Sequence, residues 1–453
     1  MNTISRPLTA NEIIDRQPLS RFQIRTIALC GVVLTLDGFD ANIIGYIAPS
    51  ISETLRIPMK TFGPIFAASL FGLMIAAMST GPLADRWGRK WPVVLSTFTF
   101  AVFALLTGRA TSFNQLLGFR FLTGLGLGGA MPNVVALACE YSPKRLQRII
   151  VAMLFSGMPL GGLLGGIASS ILIPTLGWRS LFYVGGLLPL AVALLLIRML
   201  PESVRFLSAR GGDPEMISRI IARIAPQLAG AVAGSPRSRD LKPKGLPVTQ
   251  LFREGRAAGT ILLWIPFFMN LLVLYFVVSW LPALLRQAGM SISVGVMATS
   301  LFNVGGIVGC FIEGPLIGAF GASVLLLAQF GLCGLLIGSL AFIAASMPLI
   351  LTVAFLLGFC VIGGQGGINA LAAGFYPTSV RATGIGWALG VGRIGSIVGP
   401  MLAGMMLSMD WKPQQIFLAG AIPALCAGIA VILSNWVTGG ARAYRGEPGA
   451  DAA

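Results

Sequence analysis

Twelve separate stretches of about 20 predominantly apolar residues run through this chain and constrain its fold more than any other feature. In lipid, every backbone polar group must be satisfied internally, and a helix of this length does so while crossing the hydrocarbon core. Only 11% of the residues are charged, where soluble domains carry about 25%. The sequence therefore predicts an all-α integral membrane protein with twelve transmembrane helices. The predicted spans are 25–49, 61–83, 92–110, 114–139, 149–172, 180–200, 258–282, 294–317, 322–345, 348–373, 384–408 and 414–436.

Lysine and arginine are distributed unevenly between the segments that join these spans. With both termini on one side, that side holds 24 of the 32 basic residues and the opposite side holds six, while Arg120 and Arg393 fall inside spans. Basic residues collect on the cytoplasmic side of membrane proteins, so we expect both termini in the cytoplasm. The net charge of +16 is explained by this bias, and no nucleic-acid partner is expected. The first 24 residues lack an apolar core with a small-residue cleavage site, so we expect no removable signal peptide.

The longest polar stretch, 201–257, divides the spans into six and six. A weak repeat supports this division, because the run from Gly81 to Gly88 after the second span is echoed by Gly314 to Gly321 at the end of the eighth. Two parallel halves are a transporter architecture, with the substrate site near the midplane between them. The predicted organisation is a cytoplasmic segment 1–24, a six-helix bundle 25–200, a cytoplasmic linker 201–257, a second six-helix bundle 258–436 and a cytoplasmic tail 437–453.

Two carboxylates in the first span, Asp37 and Asp40, are three residues apart and therefore share one helix face. An ionisable side chain at the centre of a bilayer costs about 2.5–3.5 kcal/mol on insertion scales, which favours a functional role. Two close carboxylates also disfavour double ionisation, which suits a proton carrier. Arg120 enters from the other face in the fourth span and is predicted at a similar depth. An Asp–Arg pair there would be an electrostatic switch, with a static structural pair as the alternative.

Arg393 is the other buried charge, near the middle of the eleventh span. A guanidinium is permanently charged and binds carboxylates with two parallel hydrogen bonds, so Arg393 is a candidate seat for an anionic substrate. Pairing with Asp37 or Asp40 is the alternative. Softer candidates are polar or aromatic side chains that more often pack or bond between helices than bind a ligand. The candidates named for substrate binding are Asn42, Tyr275, Gln365, Asn369 and Trp387, and Asn270 is a further polar candidate.

The short loop after the second span is the most specific motif of the chain. Its glycines, Gly81 and Gly88, allow a tight turn, and its charges can pair across the cytoplasmic face to hold a gate closed. A solvated basic loop is the alternative. The charged gating candidates of this loop are Asp85, Arg86, Arg89 and Lys90. Glu313, near the cytoplasmic end of the eighth span, is interpreted as a gate or structural residue.

This loop resembles the G-x-x-x-D-R-x-G-R-[RK] loop of the major facilitator superfamily. Arg120 with the glycines that follow it, and the run from Pro201 to Leu207, are similar to other segments of that superfamily. The Asp-Gly-Phe-Asp of 37–40 and the run from Tyr376 to Pro400 resemble more narrowly the aromatic acid–proton symporters. The likeness covers about residues 20–436.

The resemblance implies a role in proton coupling for Asp37 and Asp40, and gate roles for Asp85, Arg86 and Arg89. It also matches four charged positions that matter in such symporters, namely Arg120, Glu140, Arg381 and Arg393. The chain departs from the pattern in two ways: it has no counterpart to a histidine used by any family member in its second half, and the corresponding loop of that half has lost its charges at Gly318 and Ala319. The two gates therefore need not be equivalent.

The predicted function is proton-coupled symport of a small aromatic carboxylate, such as a benzoate or hydroxybenzoate, by alternating access. We expect a monomer in a bacterial inner membrane, with the proton as coupling ion and the lipid bilayer as surroundings. The chain has no histidine, and its six cysteines show no Cys-x-x-Cys spacing, so no metal site, cofactor or enzyme activity is expected. The alternatives are a symporter for a dicarboxylate, nicotinate-like acid or sugar, and a transport-dead membrane sensor. The acid, the stoichiometry and the choice between Asp37 and Asp40 stay open.

Overall fold

The computed structural model describes residues 10–209, 214–226, 247–253, 255–342, 346–377 and 380–445. Within these ranges the secondary structure is helical. The α-helices are α1 (Ala10–Arg16), α2 (Arg21–Leu55), α3 (Phe62–Trp87), α4 (Lys90–Gly108), α5 (Phe113–Glu140), α6 (Lys144–Leu176), α7 (Arg179–Met199), α8 (Val204–Ala209), α9 (Pro214–Ile224), α10 (Ala257–Gln287), α11 (Ile292–Phe320), α12 (Ala322–Ser339), α13 (Met347–Gly358), α14 (Gly364–Phe375), α15 (Arg381–Ser408) and α16 (Pro413–Arg445). Short 3₁₀ turns lie at Met59–Thr61 and Pro247–Phe252.

Twelve helical segments are long and apolar enough to cross a membrane, which confirms the predicted number of spans. Several are longer than predicted, because polar residues continue the helices beyond the apolar windows. The tenth span differs from an ideal helix: α13 and α14 are joined by a π-helical turn, Phe359–Gly363. Glycine has low helix propensity, and four glycines lie at 363, 364, 366 and 367, so the sequence weakens the helix where this turn forms. Such turns occur frequently at functional sites.

The chain forms two compact units. The first unit comprises Met1–Ala41, Phe71–Gly162 and Leu176–Lys242, and the second comprises Asn42–Leu70, Leu163–Thr175 and Pro243–Ala453. Their boundaries pass through α2, α3 and α6, so these helices contribute residues to both units. The organisation into two six-helix bundles around 201–257 stays a prediction.

The polar stretch 201–257 contains two helices, α8 and α9, that its composition did not predict. Helix α9 is amphipathic: Ile217, Ile220, Ile221 and Ile224 are buried in an apolar cluster of the first unit that also includes Phe22. Their spacing of three and four residues places them on one helix face, which explains why a segment rich in charge still packs.

Close helix contacts in each unit depend on glycine. In the first unit, a Cβ on Gly38 of α2 would lie 1.9 Å from the carbonyl oxygen of Met158, and one on Gly161 of α6 would lie 1.9 Å from that of Thr35. In the second, a Cβ on Gly305 of α11 would lie 1.9 Å from the carbonyl oxygen of Phe355. Without side chains at these points, backbones approach closely enough for dispersion to hold helices together in lipid.

Candidate functional site

Asp40 and Arg120 form a buried ion pair in the first unit. The Arg120 Nη1 donates a hydrogen bond to Asp40 Oδ1 at 3.0 Å, and both side chains are 0% exposed. The guanidinium carbon lies 5.9 Å from the centre of the Phe182 ring, within the range of a cation–π contact. The predicted pairing of the first and fourth spans is therefore confirmed as a contact, and its role as a switch stays a prediction.

The second oxygen of Asp40 accepts no hydrogen bond from any described group, although it too is buried. A buried carboxylate oxygen without a donor is costly, and a proton on Oδ2 would remove that cost while weakening the hold of Arg120 on Oδ1. Asp37 lies one turn earlier on α2 and is 1% exposed. Both carboxyls lie within two residues of Gly38, where an added Cβ would meet the backbone of α6. The role of these two carboxyls in proton coupling stays a prediction.

A second polar cluster lies in the first unit around the end of α5. Arg89 pairs with Glu140 at 3.2 Å, and the Ser203 hydroxyl donates to the other Glu140 oxygen. This contact joins the loop before α4 to the segment before α8, as opposite charges in a gate would require. Arg86 is exposed, and Lys90 lies with its Nζ 6.0 Å from the Trp91 ring centre.

Glu202 is a central residue of this cluster that sequence reasoning did not select. Its Oε1 accepts hydrogen bonds from the backbone N–H groups of Arg89, Lys90 and Ser203 at 2.7, 3.2 and 2.8 Å. A carboxylate at the start of α4 also interacts favourably with the helix dipole. Gly88 has φ +83°, and a Cβ there would lie 2.4 Å from the Glu202 carboxyl. Glu202 lies in the run from Pro201 to Leu207 that resembles the superfamily, but the sequence does not show which groups its carboxyl contacts.

Tyr141 connects this cluster to α2 through two hydrogen bonds. Its hydroxyl donates to the Glu202 carbonyl oxygen at 2.6 Å, and its own carbonyl accepts from Gln23 Nε2 at 2.8 Å. Burial raises the pKa of the Tyr141 phenol, and the charges of Glu140 and Glu202 raise it further, so the hydroxyl stays a neutral donor.

Two gating candidates, Gly81 and Arg381, lie apart from these contacts. Gly81 has open space where a Cβ would be, so no close approach requires glycine there. The side chain of Asp85 lies outside the described residues. Arg381 belongs to the second unit, where its Nε donates to the Tyr376 carbonyl oxygen at 3.2 Å.

Several predicted substrate residues lie together in the second unit. Asn270 Nδ2 donates to Gln365 Oε1 and to the Val361 carbonyl oxygen, each at 3.1 Å. The Gln365 Nε2 is a buried donor without an acceptor, and the Asn369 Oδ1 is a buried acceptor without a donor among the described groups. Gln365 and Asn369 are four residues apart on α14 and so share a face. Together they offer one donor and one acceptor to a polar ligand.

Arg393 lies on α15, where its backbone carbonyl accepts from the Ser396 hydroxyl at 2.6 Å, and its side chain is half-buried. Trp387 on the same helix is 48% exposed and stacks on Trp264, with ring centres 6.4 Å apart and planes inclined by 16°. Tyr275 is buried in an apolar cluster with Leu70 and Leu271.

Asn42 lies in a buried polar contact of the second unit, where its Oδ1 accepts from Asn303 Nδ2 at 3.0 Å. Asn303 also donates to the Thr299 carbonyl oxygen. A neighbouring contact joins Trp280, whose Nε1 donates to the Pro400 carbonyl oxygen at 3.0 Å, to the edge of the Phe66 ring. The sequence does not single out Asn303 or Trp280, because the partners Asn42 and Pro400 lie far away from them along the chain.

The sequence model of the protein family described as Major Facilitator Superfamily matches residues 30–400 of this chain. The 4-hydroxybenzoate transporter PcaK of Pseudomonas aeruginosa is 38% identical, over 97% of this chain and 99% of that protein. The gallate transporter of Pseudomonas putida is 37% identical over 95% and 96% of the two chains, and the benzoate transport protein of Acinetobacter baylyi is 34% identical over 98% and 96%.

Among solved structures, a bacterial homologue of the human lysosomal transporter Spinster, inward-facing and unoccupied, superposes with a TM-score of 0.67. It is 20% identical, and the match covers 92% of this chain and 98% of that one, so it shows a shared fold.

The chain therefore belongs to the Major Facilitator Superfamily. It is a transporter and not an enzyme, and its resemblance to the aromatic acid transporters of that superfamily is confirmed. Its twelve spans and its bacterial relatives make it a multi-pass protein of the inner membrane.

Proposed function

We propose that the chain imports a small aromatic carboxylate together with protons, by alternating access. The observation that carries this proposal is the fully buried Asp40–Arg120 pair with its second carboxylate oxygen lacking a donor. Coupling requires that proton and substrate bias the same conformational equilibrium, and a charge pair at a close helix contact is suited to this. The relatives whose names specify 4-hydroxybenzoate, gallate and benzoate support an aromatic acid as substrate.

The substrate groups have natural partners in the second unit. Arg393 takes the carboxylate, because a guanidinium matches its geometry with two parallel hydrogen bonds. Gln365 Nε2 and Asn369 Oδ1 supply a donor and an acceptor for polar ring substituents, since neither atom is satisfied by another described group. Trp387 is an exposed ring on the same helix as Arg393 and offers a stacking surface.

In this function Arg89 and Glu140, together with Arg86, Lys90, Asp85, Gly81, Gly88 and Arg381, belong to the cytoplasmic gate. Both termini face the cytoplasm. The chain works as a monomer, and the proton is its coupling ion with no bound cofactor. The Arg89–Glu140 pair supports the gate assignment, because such a pair forms and breaks without a large net change in free energy.

The test is uptake of radiolabelled 4-hydroxybenzoate into proteoliposomes, with and without an inward proton gradient. We expect accumulation that requires the gradient and is abolished by a protonophore. Competition by unlabelled benzoate and gallate, with succinate, nicotinate and glucose as controls, defines the substrate class. No uptake of any aromatic acid by correctly folded protein would contradict the proposal. Competition by succinate or glucose alone would assign the chain to another solute.

A further inference from the structure

A buried carboxyl in the second unit has no role in the function described above. Glu313 of α11 is 3% exposed, and Gln329 of α12, its hydrogen-bonding partner, is 4% exposed. The amide Nε2 of Gln329 donates to Glu313 Oε2 at 2.8 Å. The contacts of Glu313 in the described residues include no lysine or arginine, in contrast to those of Asp40.

Glycines of α11 and of the facing helix α14 leave the space that the Glu313 carboxyl occupies. Gly305, Gly309 and Glu313 are four residues apart on α11 and share one face. The two glycines lie against the backbone of the tenth span, and Glu313 is the next residue on the same face of α11. Opposite it, a Cβ on Gly367 would lie 2.7 Å from Glu313 Oε1, and one on Gly364 would lie 3.3 Å from Gln329 Oε1. A side chain at Gly367 would therefore displace the carboxyl.

The hydrogen bonds of the pair are incomplete in a specific way. Among the described residues, Glu313 Oε1 and Gln329 Oε1 are buried and accept no well-aligned hydrogen bond, although the backbone N–H of Gly367 lies close enough to interact with the Glu313 carboxyl. Both oxygens are acceptors, and with Glu313 ionised the one side-chain donor group of the pair is the Gln329 amide, which cannot donate to its own Oε1. One proton on Glu313 Oε1 supplies the missing donor, because an acid and an amide can then exchange two hydrogen bonds. The same proton removes a buried charge that no cation balances.

The groups around Glu313 do not supply that charge balance by other means. Two titratable side chains interact electrostatically with the Glu313 carboxyl: Cys310, one turn earlier on α11, and Cys360 in the π-helical turn. Neither is a cation. Gln329 on α12 and the glycines of α14 complete the surroundings.

We propose that Glu313 and Gln329 form a proton-binding site of the second unit, in which Glu313 is a neutral acid that donates through Oε1 to Gln329 Oε1. The proton comes from water and returns to water when the two side chains separate. Glu313 thereby adds a second protonation site to that of Asp37 and Asp40. Any contribution of this site to coupling rests on the proposed function, but the site itself does not.

The direct test is infrared difference spectroscopy of the full-length protein in lipid, without substrate, titrated from mildly acidic to alkaline pH. We expect a band of a protonated carboxyl at neutral pH that disappears in Glu313→Gln and persists in Glu53→Gln. Glu53 is a matched control, because it is an exposed carboxylate of the same unit. A spectrum of Glu313→Gln identical to that of the native chain would overturn the proposal.

A second measurement keeps the test independent of spectral assignment. A group that holds a proton in the folded state and releases it on unfolding makes stability fall as pH rises, by up to about tenfold in the equilibrium constant per pH unit. The melting temperature of the native chain should therefore fall more with rising pH than that of Glu313→Gln, whose amide keeps the proton-bound pairing. Equal pH dependence would contradict the site, and so would stabilisation by Na⁺ in place of protons. Because neither assay uses substrate, a failed uptake experiment would leave both results interpretable.

Discussion

The two units bury their carboxyls with different partners, a guanidinium in the first unit and an amide in the second. Asp40 and Glu313 are almost equally hidden from solvent. Asp40 contacts the permanently charged guanidinium of Arg120, which balances the charge of a carboxylate. Glu313 contacts the amide of Gln329, which stabilises either form and balances no charge. The partner, rather than the depth, decides what a buried carboxyl does.

The largest expected effect comes from removing the cation of the first pair. Arg120→Met leaves Asp40 buried without a balancing charge, and breaking such a pair costs about 3–5 kcal/mol. Thermal or denaturant unfolding in detergent would show a large loss of stability. Asp40→Asn in the Arg120→Met background should restore much of it, because the uncompensated charge is gone.

The matched change in the second unit is Gln329→Leu, which removes only neutral hydrogen bonds and should cost about 1–3 kcal/mol. A loss as large as that of Arg120→Met would mean that Glu313 is ionised. The comparison between the two carboxyls would then be wrong.

The next prediction tests the close packing of Gly367 against the Glu313 carboxyl. Gly367→Ala places a methyl group 2.7 Å from Glu313 Oε1, and overpacking of this kind costs about 1–3 kcal/mol. Gly374→Ala on the same helix is the control, because nothing lies within 4 Å of its added Cβ. The cost of Gly367→Ala should shrink in Glu313→Ala, as measured by a double-mutant cycle of melting temperatures. Equal costs in both backgrounds would show that the methyl group does not meet the carboxyl.

A third carboxyl, Glu202, extends the comparison to a partner made of backbone N–H groups. Gly88→Ala meets both a positive φ, which costs about 1–2 kcal/mol, and the Glu202 carboxyl. Gly177→Ala separates these effects, because Gly177 has φ +76° and open space around its added Cβ. Gly88→Ala should therefore lower the unfolding free energy more than Gly177→Ala. Equal losses would show that backbone strain alone accounts for the change.

The smallest expected effect concerns an exposed ion pair, Lys144 with Asp15 at 3.5 Å. Lys144 is 81% exposed, so water screens the attraction and Lys144→Ala should change stability by less than about 1 kcal/mol. Melting curves at low and high salt check this directly. A large effect that salt abolishes would mean that exposed pairs of this protein resemble the buried one.

The features predicted from the sequence depend on the position of each residue along its own helix. The twelve spans followed from the length of apolar segments, and the Asp40–Arg120 contact followed from the depth of each residue in its span. A buried charge is rare enough in a span that few partners can satisfy it.

The contacts that were missed depend on how helices are rotated against each other. The sequence does not identify the partners of Glu313, since its position on α11 does not reveal that Gln329 and the glycines of α14 face it. The π-helical turn was likewise hidden in an apolar run. Glu202 lies in a segment whose folding back onto Arg89 requires tertiary contacts.

The measurement that most directly tests proton coupling at Asp40 compares two modes of transport by Asp40→Asn in the same proteoliposomes. Asparagine keeps a hydrogen bond to Arg120 but cannot exchange a proton. We predict that accumulation of 4-hydroxybenzoate driven by a proton gradient falls about 5- to 150-fold, the usual range of a coupling between two sites. Exchange of internal for external substrate without a gradient should persist. Gradient-driven accumulation at the native level would contradict the account, because the proton would then be carried elsewhere.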